Sequence, residues 1–413
     1  MSGARQRIGI PFLEPSGHPD AIYEAGGEPV PLRLPPALPG EYVALAREWV
    51  ADVAQISCAP ANLDALLVAA GEPAELYGLV LAALRLNLPT VAAPPPDARL
   101  RAALAALGLA PLGPDFAETA VAVAHRGEPR PLDLIENFAL ANAVRAGCSL
   151  GGDPETFVHL AAVARESGAA GFSQMLRVLV PETAPVAEPG SAWFDEHGVE
   201  GVLVHLGDAL HDIRTVAGRL REALPAEPPA APAPPGQRLL FVEGRASGTA
   251  GLCRVPGPRR EVSGECRVLY SERSAVRAVE GGAVKPGALL VVGGCGPRGG
   301  PGLPRLDLLS RALRAGGFEE SVVVITDGLP PGDVRGTWVS LVSPEAVKGG
   351  VIGRLRDGDD LRFDLVEGRI RTSVEVDELE SRQPHKFSAS RGSGYAARYA
   401  RTALPALEGA GFG

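Results

Sequence analysis

The stretch Val324 to Gly350, VITDGLPPGDVRGTWVSLVSPEAVKGG, holds the densest set of residues whose types core packing alone does not explain. The preceding run Val322 to Ile325 is short, β-branched and bounded by a Gly/Pro cluster, which predicts a buried strand that delivers Thr326, Asp327 and Gly328 to a loop. Pro330 and Pro331 stiffen the turn and Arg335-Gly336 opens the next segment. Polar groups at a strand end are well placed for a ligand, so Thr326, Asp327, Gly328, Arg335 and Ser343 are candidate substrate-binding residues. Asp327 is a candidate acid–base group and Arg335 a carboxylate clamp. His159 is a third catalytic candidate, although a histidine on an apolar helix face also reads as a satisfied core residue.

The elements that must position these groups fall into two sets. Before Pro225 strands and helices alternate: strands at Arg7 to Pro11, Pro29 to Leu34 and Leu63 to Ala70, and helices at Ala21 to Ala25, Glu41 to Val53, Glu75 to Leu86, Ala98 to Leu107 and Leu132 to Ala146. Helical pieces are expected at Val202 to His211 and Thr215 to Ala223. Pro225 to Gly236, PAEPPAAPAPPG, reads as a semi-rigid spacer. Beyond it come short strands at Arg238 to Val242, Gly251 to Val255 and Glu265 to Leu269, a helix at Ser271 to Glu280, and a strand–turn–strand over Gly353 to Thr372 with Asp357-Gly358-Asp359 at its turn. The expected organisation is an α/β domain over residues 1–225, a linker over 226–236 and a second domain over 237–413. The glycine-rich turn Gly293 to Gly302 invites a phosphate cradle, but no GK[ST] follows it, and its Cys295 is a lone thiol.

At 413 residues with net charge -9, the chain can bury a sizeable core, and its acidity argues against nucleic acid or an anionic membrane as partner. No apolar run approaches membrane-spanning length and no signal segment opens the sequence, so a cytoplasmic protein is expected. Five scattered cysteines without a CxxC pair predict free thiols.

Several blocks resemble the dihydroxy-acid and sugar-acid (phosphogluconate) dehydratases, of which the chain resembles a shortened and degenerate member. Ile325, Thr326, Asp327, Gly328, Gly332, Arg335 and Gly336 match the pattern ITDGRFSGxTRG, and Val342 to Ala346 with Gly349 and Gly350 match the HVSPEA segment. The segment LDALLVAAGEPAELYGLVLAALRLNLPT is similar to FDALVxxGGCDKxxPGxLMAAxRLNIPT without a gap. VKPGALLVVGGCGPRGGPGLPRLDLLSRAL and the closing GSGYAARYARTALPALEGA add further likeness. The resemblance implies a three-layer α/β domain followed by a swivelling β-barrel-like domain with flanking helices. It also implies an active site between the two and subunits that pair.

The same resemblance places the family's chemistry on residues that lack it. The catalytic serine falls on Pro331, and the cluster cysteines fall on Ser16, on Glu72 and in a loop absent after Pro89. The metal-ligand aspartate falls on Pro73, the carbamylated lysine on Ala74 and the metal-ligand glutamate on Arg305. Serine is a poor iron ligand beside thiolate, and proline has neither donor nor acceptor. Ser16 and His18 also read as turn residues, and Glu72 as a dipole-stabilising residue at a helix start. No iron–sulfur cluster, metal or other cofactor is therefore expected. Three functions remain open: a non-catalytic partner of an intact dehydratase paralogue, as homo- or hetero-oligomer; a cluster-independent lyase or isomerase acting on a small hydroxy or amino acid in the old cleft; and a small-carboxylate sensor.

Overall fold

Three short apolar strands buried by helices, with a fourth, part-exposed strand at the sheet edge, build the amino-terminal half. The computed structural model describes residues 5–14, 17–36, 38, 42–230, 232, 236–245, 248–257, 261–387 and 394–413. Strands β1 (Arg7–Phe12), β2 (Glu28–Arg33), β3 (Ala65–Val68) and β4 (Thr90–Ala92) form a parallel sheet in the order β2-β1-β3-β4. Helices α1 (His18–Glu24), α2 (Val43–Cys58), α3 (Pro73–Leu86), α4 (Ala98–Ala106) and α5 (Phe116–Arg126) connect and flank it. Helix α3 begins with proline in its first turn and ends on left-handed Asn87, whose N–H reaches the Ala83 and Leu84 carbonyls. Ten of its fourteen residues are buried, so its apolar pattern is consumed by the chain's own core. Gly78 permits this: a β-carbon there would lie 2.7 Å from the Arg47 carbonyl oxygen of α2.

Helices α6 (Pro131–Leu134), α7 (Asn137–Ser149), α8 (Pro154–Glu166), α9 (Phe172–Glu182) and α10 (Ala192–Val204) complete this half. The single helix expected over Leu132 to Ala146 is broken at Ile135-Glu136, and the piece expected at Val202 to His211 ends at Val204. Thr215 to Ala223 is not an α-helix. It contains a small hairpin, β5 (Arg214–Thr215) with β6 (Gly218–Arg219), followed by a short 3-10 turn. The Thr215 hydroxyl accepts from the Ala217 N–H and donates to the Gly218 carbonyl, offering the backbone an alternative to helix. The proline-rich connector runs along α10, where Trp193 Nε1 donates to the Ala230 carbonyl at 2.7 Å; residues 231 and 233–235 lie outside the described residues.

The second half is a closed mixed barrel. Its strands are β7 (Gln237–Gly244), β8 (Ala250–Pro256), β9 (Glu261–Leu269), β10 (Leu289–Val292), β11 (Val323–Thr326), β12 (Trp338–Ser343), β13 (Asp360–Asp364) and β14 (Arg369–Thr372). They close in the order β10-β11-β12-β8-β7-β14-β13-β9. Alternation along the strands sends Leu289, Val291, Val323 and Ile325 into the barrel with Phe363, while Leu290, Val292 and Val324 pack outward against α11 (Glu272–Glu280) and α12 (Asp307–Ala315). The β13–β14 turn falls at 365–368, not at Asp357-Gly358-Asp359, because Asp364 Oδ1 accepts from the Val366 and Glu367 N–H groups and Gly368 supplies a positive φ. Asp357 instead holds the Val268 N–H on β9.

After α13 (Val376–Ser381) the chain returns to the first half. In α14 (Tyr395–Thr402), Tyr399 is buried and donates to the Ala410 carbonyl at 2.5 Å, while Tyr395 donates to Asp52 at 3.0 Å. Leu303, Leu329 and Leu341 from the barrel side pack with the amino-terminal core, so the two halves share apolar surface. Among the described residues no helix is long and apolar enough to cross a membrane.

Candidate functional site

A cleft of about 550 Å³ lies between the halves, at the amino ends of α3 and α8. Glu72, Pro73, Asp153 and Glu155 line it from the first half, and Arg254, Arg305 and Arg335 from the second. Glu72, Pro73, Arg305 and Arg335, far apart in sequence, are thus brought together. Ala74 is buried in the first turn of α3, and Pro331 is buried beside the cleft residue Gly332. Arg335 is exposed, and its side chain makes no hydrogen bond or ion pair among the described residues; its N–H approaches Glu319 at 3.4 Å.

The floor of the cleft is an ion pair. Arg305 Nε and Nη2 donate to Glu155 Oε2 and Oε1 at 2.6 and 2.5 Å, a forked geometry in which the carboxylate is buried. Behind Glu155, His159 Nε2 lies 3.5 Å from Oε1, His159 Nδ1 lies 3.4 Å from Arg47 Nη1, and the ring stacks on Tyr77. Because guanidinium only donates, Nδ1 must accept, which leaves the imidazole proton on Nε2 facing Glu155. Burial pushes His159 down to about 4, so the ring is neutral at pH 7. Burial alone would raise the Glu155 carboxyl, but the donors at His159 and Arg305 hold it at about 2. With a neutral imidazole at long range, the charge that stabilises the carboxylate is that of Arg305.

Asp153 caps α8 through the Glu155 N–H at 3.1 Å, and burial and the neighbouring Glu155 push its carboxyl up. Opposite it, Arg254 donates to Gln237 at 2.8 Å and to the Gly332 carbonyl at 2.7 Å. In sequence, Asp153-Pro154-Glu155 reads as a helix start with Asp153 as its cap and Pro154 in its first turn, and nothing singles out Arg254. The DPE triplet carried the only signal, and it could not name the arginines that meet it.

Asp327 does not line the cleft. It is buried and accepts from the N–H groups of Gly294 (3.1 Å), Cys295 (2.8 Å) and Ala346 (2.9 Å). Glu345 accepts from Arg298 and Gly299 N–H at 3.1 and 3.2 Å. The glycine-rich turn therefore spends N–H groups that a phosphate would need on two carboxylates of its own chain. A β-carbon at Gly296 would lie 2.6 Å from Glu345 Oε2, which explains glycine there. Thr326 is buried and accepts from the Gly328 N–H at 3.0 Å; a β-carbon at Gly328 would meet that of Cys295 at 2.8 Å; Ser343 ends β12.

A second cavity, about 270 Å³, sits at the carboxyl ends of β1, β3 and β4, beside the segments onto which the resemblance places the cluster ligands. Its titratable lining is Glu14, His18 and Glu75, walled by Pro94, Pro95 and Pro96. Burial lowers His18 and raises Glu75. Ser16 lies outside the described residues. All five cysteines are buried and none lines either cavity; burial pushes Cys58 up to about 11 and Cys148, Cys253 and Cys266 up to about 12. A three-thiolate ligand set is therefore not available at this cavity, and the donors present do not suit an iron–sulfur cluster.

Residues 233–410 match the family described as dihydroxy-acid/6-phosphogluconate dehydratase C-terminal. The chain is 31% identical over 303 residues to the dihydroxy-acid dehydratase of Trichlorobacter lovleyi, covering 68% of this chain and 55% of that protein. It is 32% identical over 308 residues to that of Ignicoccus hospitalis (68% and 55%), and 31% identical over 347 residues to dihydroxy-acid dehydratase 2 of Bordetella bronchiseptica (74% and 60%). It spans little more than half the length of these relatives.

Proposed function

The chain belongs to the dihydroxy-acid/6-phosphogluconate dehydratase family, and from that premise we propose that it is a non-catalytic member, free of cluster and metal, that serves as the partner subunit of an active dehydratase. The observation that carries the loss of chemistry is the forked Arg305–Glu155 pair. A guanidinium fills the position where the resemblance places a metal-binding carboxylate, and it neutralises the cleft's buried acid from within. Dehydration of a 2,3-dihydroxy acid needs a base for the proton next to the carboxylate and a Lewis or Brønsted acid for the departing hydroxyl. Pro331 supplies no base, Asp327 is saturated by three N–H donors, and His159 is enclosed between Arg47, Tyr77 and Glu155.

The partner role rests on a family scaffold kept while its chemistry is lost. Helix α3 is packed into this chain's own core and is not the surface on which such a partner would dock. A second reading, a cluster-independent lyase or isomerase, draws support from Asp153, a cleft carboxyl pushed up by burial and Glu155, facing arginines that suit a small carboxylate. Light scattering of the protein alone and mixed with an intact dehydratase paralogue, with turnover of 2,3-dihydroxy acids measured in each sample, separates the two. Co-assembly with no turnover by the isolated chain is expected. A monomer in both samples overturns the partner role, and turnover by the isolated chain that vanishes in Asp153→Asn establishes the second reading.

A further inference from the structure

The barrel carries a second built cavity at the end of β7 remote from the cleft. Gln237, which lines the cleft, and Glu243 to Arg245 stand at opposite ends of that strand, about 20 Å apart at the usual rise per residue. Here a cavity of about 380 Å³ is ringed by Arg177 of α9, Arg245 after β7, and Arg369 and Arg371 of β14. Strand alternation puts Arg369 and Arg371 on one side of the sheet. Arg177 pairs with Glu243 at 2.5 Å. Arg245, Arg369 and Arg371 make no side-chain hydrogen bond or ion pair among the described residues, in a chain whose net charge is -9. Asp364 on β13 stands opposite Arg369 in register; it accepts from the N–H groups of its own turn and its charge also acts on Arg371, while Glu243 on β7 lies beside Arg369. Clustered like charges repel, and this cluster has spare donors where acidic surface elsewhere could have quenched it.

The arginine end opens into an apolar one. A second cavity of about 380 Å³ shares Gly244, Arg245, Thr249, Ile370 and Arg371 with the first. It continues over Val351, Leu361, Val374, Val376 and Leu379, with Glu375 as its acid. Three guanidiniums without a hydrogen-bonded carboxylate exceed what one carboxylate can satisfy and match a phosphoryl group, whose three terminal oxygens accept from several forks at once. We infer that this two-part cavity binds a phosphate ester, with the phosphoryl group held by Arg245, Arg369 and Arg371 and an apolar body seated against Val374 and Leu379. Since Arg177 comes from the amino-terminal half and the other three from the barrel, an occupant there also ties the halves together.

Titration calorimetry of the full chain at low ionic strength with inorganic phosphate, then with phenyl phosphate, tests this. Both are expected to bind, the ester roughly tenfold more tightly because it also buries its ring. The double variant R369E/R371E is expected to weaken both by about tenfold or more. Arg245→Ala, on a turn outside the ladder, keeps the test open if the double variant disturbs β13–β14 pairing. Absence of binding by either probe, equal affinity for the two probes, or affinity unchanged in Arg245→Ala overturns the inference.

Discussion

Replacing Arg305 with methionine leaves a buried carboxylate without its counter-charge while keeping much of the side-chain volume. In the native chain Glu155 is held at about 2 against an ordinary 4.5, a difference of about 2.5 pH units. At about 1.4 kcal/mol per unit this amounts to roughly 3 kcal/mol of stability at neutral pH. Removing one partner of a buried pair costs a similar amount, about 3–5 kcal/mol. The pKa is depressed on folding, so the contribution is complete above the unfolded value near 4.5 and is lost as pH falls towards 2. Urea denaturation should therefore show Arg305→Met less stable by about 3 kcal/mol at pH 7, with the gap closing as pH falls towards 2, first as the variant's buried carboxyl takes up a proton above 4.5 and then as the parent loses its ion pair below 4.5. Adding Glu155→Gln should restore most of the loss, because the neutral amide needs no counter-charge. A single variant as stable as the parent at pH 7, or a gap independent of pH, would refute the assignment of Arg305 as the charge that neutralises the cleft.

Glu345 should act in the opposite sense. Burial and the charge of Asp327 raise it to about 7, so the folded state holds a proton that the unfolded state releases near 4.5. Stability should fall as pH rises from about 4.5 through about 7, by up to roughly 3 kcal/mol, and Glu345→Gln should flatten that slope in a melting-temperature profile. Arg305→Glu would gather oxygen donors with Glu72, Asp153 and Glu155 in the cleft. Its melting temperature in chelator should drop and recover with millimolar magnesium, while the parent protein should not respond.

Much of the scaffold is written in local pattern. The β-branched run ending at Ile325 does enter a buried strand, the Leu63 to Leu86 stretch does form a strand followed by a helix, and the alternating strands after Gly236 do close as a barrel, whereas β4 at Thr90–Ala92 is not among the expected strands. Local rivalry explains the failures: the Thr215 hydroxyl diverts a helical composition into a hairpin, and Asp364 captures the turn that Asp357-Gly358 advertised. The site was less legible because its meaning lies in pairings across the chain. Nothing near Arg305 reveals that Glu155 will meet it, 150 residues away, and the carboxylate of Asp327 faces N–H groups 33, 32 and 19 residues distant. A charge reversal at one position thus reads from sequence as a lost ligand, and in three dimensions as a self-contained ion pair.

The proposed loss of cluster chemistry is tested most directly by iron and acid-labile sulfide analysis of the full chain purified without air and incubated with iron and sulfide. Both should remain far below one per chain, with no visible charge-transfer absorbance, since the five thiols are buried and none lines the cavity at the carboxyl ends of β1, β3 and β4. A stoichiometric cluster, stable to gel filtration, would contradict it.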